Sequence, residues 1–217
     1  MKFRKLRIAE KITISREAIT NALNDAELMD SLIHYGYHPE KLREGLVIQE
    51  QVMVHQNNRV AEFGQRMEAT QAVVEAYERV YRMYLADRQV VKGFLKPYPG
   101  LLERLGVTSK IERRRDAFLF QVQVFYKELK GNEQIRNHLN LYQFTTESLA
   151  TRLAEVHALA TAMQEQQHQS GLALVATQRQ REALAELEDW VIRFFGVARL
   201  AFRDDKKQLE KLGILRR

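Results

Sequence analysis

The sequence predicts an all-α fold: an elongated helical bundle or coiled coil built from two tandem repeats of about 107 residues. Three observations carry that expectation. The 217-residue chain holds three Pro and ten Gly; these residues interrupt helices, so their scarcity favours long ones. Apolar residues recur at alternating steps of four and three over a long stretch, which is the pattern of a helix with one buried seam. Finally, the chain matches itself when shifted by 107 positions. "LLERLGV" (101–107) falls on "QLEKLGI" (208–214), and "ATQAVVEA" (69–76) falls on "ATQRQREA" (176–183). Gly64 falls on Gly171, and Leu32, Tyr35, Glu40, Leu42 and Leu46 fall on Leu139, Tyr142, Glu147, Leu149 and Leu153. Upstream, a one-residue slip sets Leu23 on Leu129. Self-similarity at a fixed period marks a repeated structural unit. The expected domains are repeat 1 at 3–107 and repeat 2 at 108–217, packed as one pseudo-two-fold domain.

Each repeat reads as a medium helix, a short helix, a very long helix and a short C-terminal cap helix. Ile8, Ile12, Ile19 and Leu23 carry the first helix of repeat 1, and Phe118, Val122, Phe125 and Leu129 that of repeat 2. Polar breaks follow, "LNDAE" and "KGNEQ". Asn24 with Glu27 three residues on suggests a capping box for the short helix, which ends near Tyr35 or Tyr142. Pro39, after His38, suits the first position of the long helix, because its missing N–H has no intrahelical acceptor there anyway. Thr145 is the N-cap expected in repeat 2.

From Leu42 the seam runs through Leu46, Gln49, Met53, Gln56, Val60, Phe63, Met67, Thr70, Val74, Tyr77, Tyr81, Tyr84, Arg88 and Val91 to Leu95. Repeat 2 follows it less cleanly from Leu149 to Phe202, with a shift near Leu187 and Trp190. Gly64 and Gly171 interrupt the middle of each run. The heptad phase passes through Gly64, and no Pro, Asn or Asp flanks either glycine, so one continuous helix is expected in each repeat rather than a hairpin. In the tail, Asp205 caps a short helix, and Gly213 supplies the left-handed residue that lets Ile214 pack back on Leu209. Pro99, Gly106, Val107 and Leu102 play the same parts in repeat 1.

The tail "ARLAFRDDKKQLEKLGILRR" resembles the C-termini of a group of uncharacterised bacterial all-α proteins that close on a similar Leu-Gly-hydrophobic ending. The likeness covers these residues alone and implies no function.

Composition excludes several chemistries. With no Cys there is no disulfide, thiolate zinc site, iron–sulfur ligation or Cys nucleophile. "MKFRKLRIAEK" has a basic start without an apolar run behind it, and the longest uncharged run, "AFLFQVQVFY", is too short to cross a bilayer. A cytoplasmic protein with no membrane partner is therefore expected. There is no Gly-x-Ser-x-Gly elbow and no Gly-rich phosphate loop.

Glu165 and His168 have the Glu-x-x-His spacing that carboxylate-bridged metal sites place on a helix. Such a site needs a second motif, yet the positions one repeat back are Asn58 and Ala61, so no metal and no cofactor is expected. His34 and His38 flank Gly36 and precede Pro39, which argues for a turn rather than a ligand pair. Tyr77, Tyr81 and Tyr84 on the seam read as core.

Charge offers one candidate surface. The net charge is +6. Lys2, Arg4, Lys5 and Arg7 lead the first helix, Lys110, Arg113, Arg114 and Arg115 lead its counterpart, and Lys206, Lys207, Arg216 and Arg217 crowd the tail. Cations at a helix N-terminus oppose the macrodipole, so an anionic partner or an acidic neighbouring helix should compensate them. A nucleic acid or another polyanion is the possible partner, though without interleaved aromatic residues for base stacking.

The apolar seam, with Leu46, Met53, Val60, Phe63, Met67, Val74, Tyr77, Tyr81 and Tyr84, must be covered by the other long helix or by another chain. The leading expectation is a non-enzymatic structural, assembly or scaffold protein that works by helical self-association, as a homo-oligomer or with a protein partner. An accessory module binding nucleic acid or another polyanion through the basic unit ends is the alternative. A metal-dependent helical-bundle enzyme is a distant third.

Overall fold

The computed structural model describes residues 3–139, 142 and 144–214. Every regular element among them is helical. A 3-10 turn at Phe3–Lys5 leads into α1 (Ile8–Asn24), α2 (Ala26–Ile33), α3 (Pro39–Phe94) and α4 (Pro99–Arg104). Then come α5 (Arg115–Gly131), α6 (Glu133–Leu139), α7 (Thr146–Ala201) and α8 (Lys206–Lys211). The first four helices recur in kind, order and length; all their bounds return 107 positions later except the end of α2, which returns after 106. Among the described residues, no helix is long and apolar enough to cross a membrane.

Local chemistry explains the boundaries. Pro39 and Pro99 open α3 and α4. Thr145 Oγ1 accepts from the Ser148 N–H (3.2 Å), and Asp205 Oδ1 accepts from the N–H groups of Lys207 and Gln208. The expected cap at Asn24 is instead one residue on. Asn24 is the last residue of α1, while Asp25 has extended backbone and accepts from the N–H groups of Glu27 and Leu28. A carboxylate placed there satisfies two donors at the positive end of α2, which an amide does less well.

Both Leu-Gly endings close the same way. Gly106 and Gly213 have φ of +64° and +71°. The Val107 N–H reaches the Leu102 carbonyl (3.2 Å), and the Ile214 N–H reaches that of Leu209 (3.0 Å). This six-to-one bond is the Schellman ending, and it requires a residue at ease in the left-handed region.

The two long helices are continuous, α3 through Gly64 and α7 through Gly171. Their buried stripe differs from the expected seam. Along α3 and just past its end it takes Leu42, Gly45, Ile48, Gln49, Val52, Ala69, Val73, Ala76, Val80, Tyr84, Asp87, Arg88, Val91 and Leu95. The seam residues it shares are Leu42, Gln49, Tyr84, Arg88, Val91 and Leu95; from Leu42 to Asp87 its second row lies three residues after the first, at Gly45, Val52, Val73, Val80 and Asp87, rather than four. Leu46, Val74, Tyr77 and Tyr81 are consequently half-buried, and Met53, Val60, Phe63 and Met67 are exposed; Tyr84 is fully buried.

The chain forms two compact units, one of residues 1–63 with 172–217 and the other of residues 64–171. Each takes a part of both sequence repeats. In the first unit α1, α2 and α8 surround the start of α3 and the end of α7, with a core of Ile19, Leu28, Leu32, Leu42, Val52, Leu187, Trp190 and Phe194 among others. In the second, α4, α5 and α6 surround the end of α3 and the start of α7, with Val80, Tyr84, Phe118, Val122, Phe125, Tyr126, Phe144 and Val156 in the core. Cross-helix hydrogen bonds set the antiparallel register within each unit. Gln180 Nε2 donates to Gln56 Oε1 in the first, and Gln166 Nε2 to Thr70 Oγ1 (3.2 Å) in the second.

Candidate functional site

The first unit presents an apolar row on α3 beside the buried stripe, with Leu46 packed on the edge of the core. Leu46, Met53 and Val60 follow one another at intervals of seven, and the last two are 39% and 59% exposed. Residues seven apart lie nearly above one another on a helix, with a small drift that supercoiling removes, so the row is a straight strip suited to another helix. Beside it, α1 and α3 enclose a groove of about 440 Å³, whose floor is Leu46 and Met53 and whose rim carries Arg16, Thr20, Glu50 and Asn57. An apolar floor between charges of both signs suits an amphipathic helix.

The second unit holds a buried polar cluster that the sequence did not suggest. The Arg152 guanidinium grips Asp87 with two donors, Nε to Oδ2 (2.6 Å) and Nη2 to Oδ1 (3.1 Å). The Tyr126 hydroxyl donates to the same Oδ2 (2.7 Å), and the Arg152 guanidinium lies 5.2 Å from the centre of the Phe144 ring. Burial, reinforced by the Asp87 charge, drives the Tyr126 phenol far above its usual range, so it stays a donor. Arg88, next along α3, donates to the carbonyls of Val107 (2.8 Å) and Ser109, tying the Leu-Gly ending of α4 to the helix. These groups lie 39 and 65 positions apart in sequence, so no local motif could announce them.

The positions 107 residues away show different chemistry. Gly45 stands for Arg152, Phe194 for Asp87, Ile19 for Tyr126 and Tyr37 for Phe144. The Trp190 indole fills the corner above Gly45, with its ring centre 5.9 Å from that of Tyr37 and 5.4 Å from that of Phe194.

The basic residues found in the sequence are divided between the units. Arg4 meets acids on α7: its Nη2 is 2.9 Å from Asp189 Oδ1, and its Nε is 3.9 Å from Glu188 Oε2. Buried Lys11 reaches the same Glu188 at 2.6 Å. Lys5 and Arg7 are exposed; the Arg7 N–H donates to Glu10 (2.8 Å). Lys206 and Lys207 are exposed at the start of α8. That helix is tied to the C-terminal end of α1, where Asn21 Nδ2 donates to the Lys211 carbonyl (2.7 Å) and Lys211 pairs with Asp25 (2.9 Å).

In the second unit Lys110, Arg113, Arg114 and Arg115 are exposed. Arg114 pairs with Asp116 at 2.7 Å, and Arg115 lies 6.0 Å from the Tyr77 ring centre. Lys2, Arg216 and Arg217 lie outside the described residues. Thus acids within the protein, Glu188 and Asp189 above all, supply part of the compensation expected of a partner.

Glu165 and His168 are exposed on α7, with His168 Nδ1 4.0 Å from Glu165 Oε1. Gln169 Nε2 also donates to that oxygen (2.7 Å). Among the described residues, no group of three or more His, Cys, Asp or Glu side chains is placed to hold a metal ion.

The comparisons with known proteins add no neighbour: no family model, curated protein or solved structure matches the chain. The class that the fold defines is an all-α helical bundle, in which each unit packs a part of α3 with a part of α7.

Proposed function

We propose that this chain is a non-enzymatic structural or assembly protein that acts by helical self-association, through the row of α3 that flanks its buried stripe. The observation that carries the reading is the seven-residue spacing of Leu46, Met53 and Val60, the first half-buried and the other two exposed. A soluble helix gains nothing from such a row unless something covers it. The same row on a second copy is a self-complementary occupant, as a two-fold dimer requires. Arg16 and Glu50 at the rim offer both charges for a symmetric pairing.

The reading includes a tandem duplication, with repeats at 3–107 and 108–217 related by a pseudo-two-fold axis. The 107-residue recurrence of the helix bounds supports it. So does the reuse of contact positions with changed chemistry. Lys11 meets Glu188 in one unit, and their counterparts Phe118 and Tyr81 meet with ring centres 5.7 Å apart in the other. A cytoplasmic location fits the reading.

Light scattering coupled to size exclusion, at low and high salt, tests it. The expected result is one defined oligomer at both salt concentrations, reduced in mass by Met53→Glu with Val60→Glu. A monomer in both conditions would sink self-association. Nucleic acid that co-purifies and is released by salt would favour the polyanion alternative through the exposed cations.

A further inference from the structure

The inner faces of α3 and α7 carry two different solutions to one packing problem. In the first unit a hole at Gly45 receives a knob, Trp190; a Cβ built on Gly45 would lie 2.4 Å from the indole. In the second unit the position of the hole is filled by Arg152, and the counterpart of Phe194 is Asp87, which Arg152 neutralises. We infer that these pairs form a two-part key by which the inner face of α3 accepts α7 and refuses a second α3. The inference rests on the duplication reading, since it compares positions 107 residues apart. It concerns the inner face of α3, not the flanking row of Leu46, Met53 and Val60.

Two similar long helices pose a choice of partner, because α3 could in principle pair with the α3 of another copy. In the same register that pairing would set Asp87 against Gly45 and Ile19. Its carboxylate would be buried with no donor, and the hole at Gly45 would face Met83, the counterpart of Trp190. Pairing α7 with a second α7 would press Arg152 against Phe194 and Trp190, a buried cation with no carboxylate and no hole for the indole. Each homotypic pair therefore strands two buried charges, one at each end, whereas the α3–α7 pair strands none. Using a misplaced charge to exclude the wrong partner is how helices of similar sequence keep their pairing specific.

The test keeps every residue of the chain. The protein lacks Cys, so Gln56→Cys and Gln180→Cys, at side chains in contact, report α3–α7 pairing by disulfide formation. A protease site inserted after Arg113, in the exposed stretch before α5, allows the folded protein to be nicked, unfolded and refolded under oxidising conditions. With the native key, nearly all of the two pieces should be joined by the disulfide. A second variant rewrites the second unit with the first unit's residues, through Met83→Trp, Asp87→Phe, Tyr126→Ile and Arg152→Gly. Its joined fraction should fall by roughly half, the loss expected when α3 and α7 pieces pair without preference.

Equal joining in both proteins overturns the key, as does homotypic pairing of the native pieces. If either set of pieces does not refold, the intact chain decides. Asp87→Arg and Arg152→Asp should each lower Tm, and together they should recover most of the loss; no recovery overturns the proposal. Self-association is read separately, from the mass of the intact native protein, so the two ideas fail independently.

Discussion

The six-membered ring of Trp190 rests against the backbone of Gly45, so close that a Cβ there would lie 2.4–2.7 Å from three of its carbons. Gly45 occurs inside a helix, where glycine costs roughly 1 kcal/mol relative to Ala. The contact explains why it is used. Gly45→Ala should therefore destabilise the protein by about 1–3 kcal/mol from overpacking, less the helix-propensity gain. Trp190→Leu removes the clash, and in that background Gly45→Ala should be neutral or stabilising. Thermal denaturation of the two singles and the double checks the change of sign.

Asp87 is the acid on which two donors from other helices converge. Asp87→Ala leaves the Arg152 guanidinium partly buried without its carboxylate, and should cost about 3–5 kcal/mol. Tyr126→Phe removes one neutral donor from a carboxylate that keeps its bidentate cation, so about 0.5–1.5 kcal/mol is expected. Denaturant titration at neutral pH should thus rank Asp87→Ala well above Tyr126→Phe. Equal costs would mean that Arg152 finds other acceptors.

The same cluster sets an alkaline limit. Burial raises the folded-state ionisation of Tyr126, and also that of Tyr84 and Tyr37, above that of an unfolded tyrosine near pH 10. Above that pH the unfolded chain releases protons that the folded chain retains. Fewer bound protons in the unfolded state make the slope of stability with pH negative. Between neutrality and about pH 9 these tyrosines leave stability level, and above about pH 10 it should fall steadily. Tyr126→Phe should make that fall shallower, and the share of tyrosinate absorbance that this substitution removes should appear together with unfolding rather than before it.

Much of this fold could be read from local chemistry. Pro39, Pro99, Thr145 and Asp205 mark helix starts by what they lack or accept, and Gly106 and Gly213 mark ends by the backbone they permit. The phase of the long helices was harder. Positions four after Leu42, Gln49, Gln56 and Phe63 hold Leu46, Met53, Val60 and Met67, while those three after them hold Gly45, Val52, Arg59 and Arg66, and Asp87 stands three after Tyr84. Hydrophobicity alone therefore selects the first set, yet the structure buries Gly45 and Asp87. A glycine is buried because a neighbour's indole needs its missing side chain, and an aspartate because an arginine 65 positions away pairs with it. Neither reason is present within a sequence window. The polar seam residues Gln56 and Thr70 were informative, since each makes a hydrogen bond to α7 that fixes register.

The glycines allow one further test, because the same substitution should have opposite signs at two kinds of site. Gly64 and Gly171 are helical, exposed, and have no atom within 4 Å of a built Cβ. Ala at either should stabilise the protein by up to about 1 kcal/mol, by favouring the helix and narrowing the unfolded ensemble. Gly106 and Gly213 also have open space around a built Cβ, yet their φ values are +64° and +71°. There the added Cβ crowds its own carbonyl, and Ala should cost about 1–2 kcal/mol, with Asn costing less. Paired melts of Gly64→Ala and Gly213→Ala decide the matter. A rise in Tm for the first and a fall for the second is the expected outcome. A fall for both would mean that α3 needs the flexibility of Gly64, as a helix interior with no neighbour to accommodate does not.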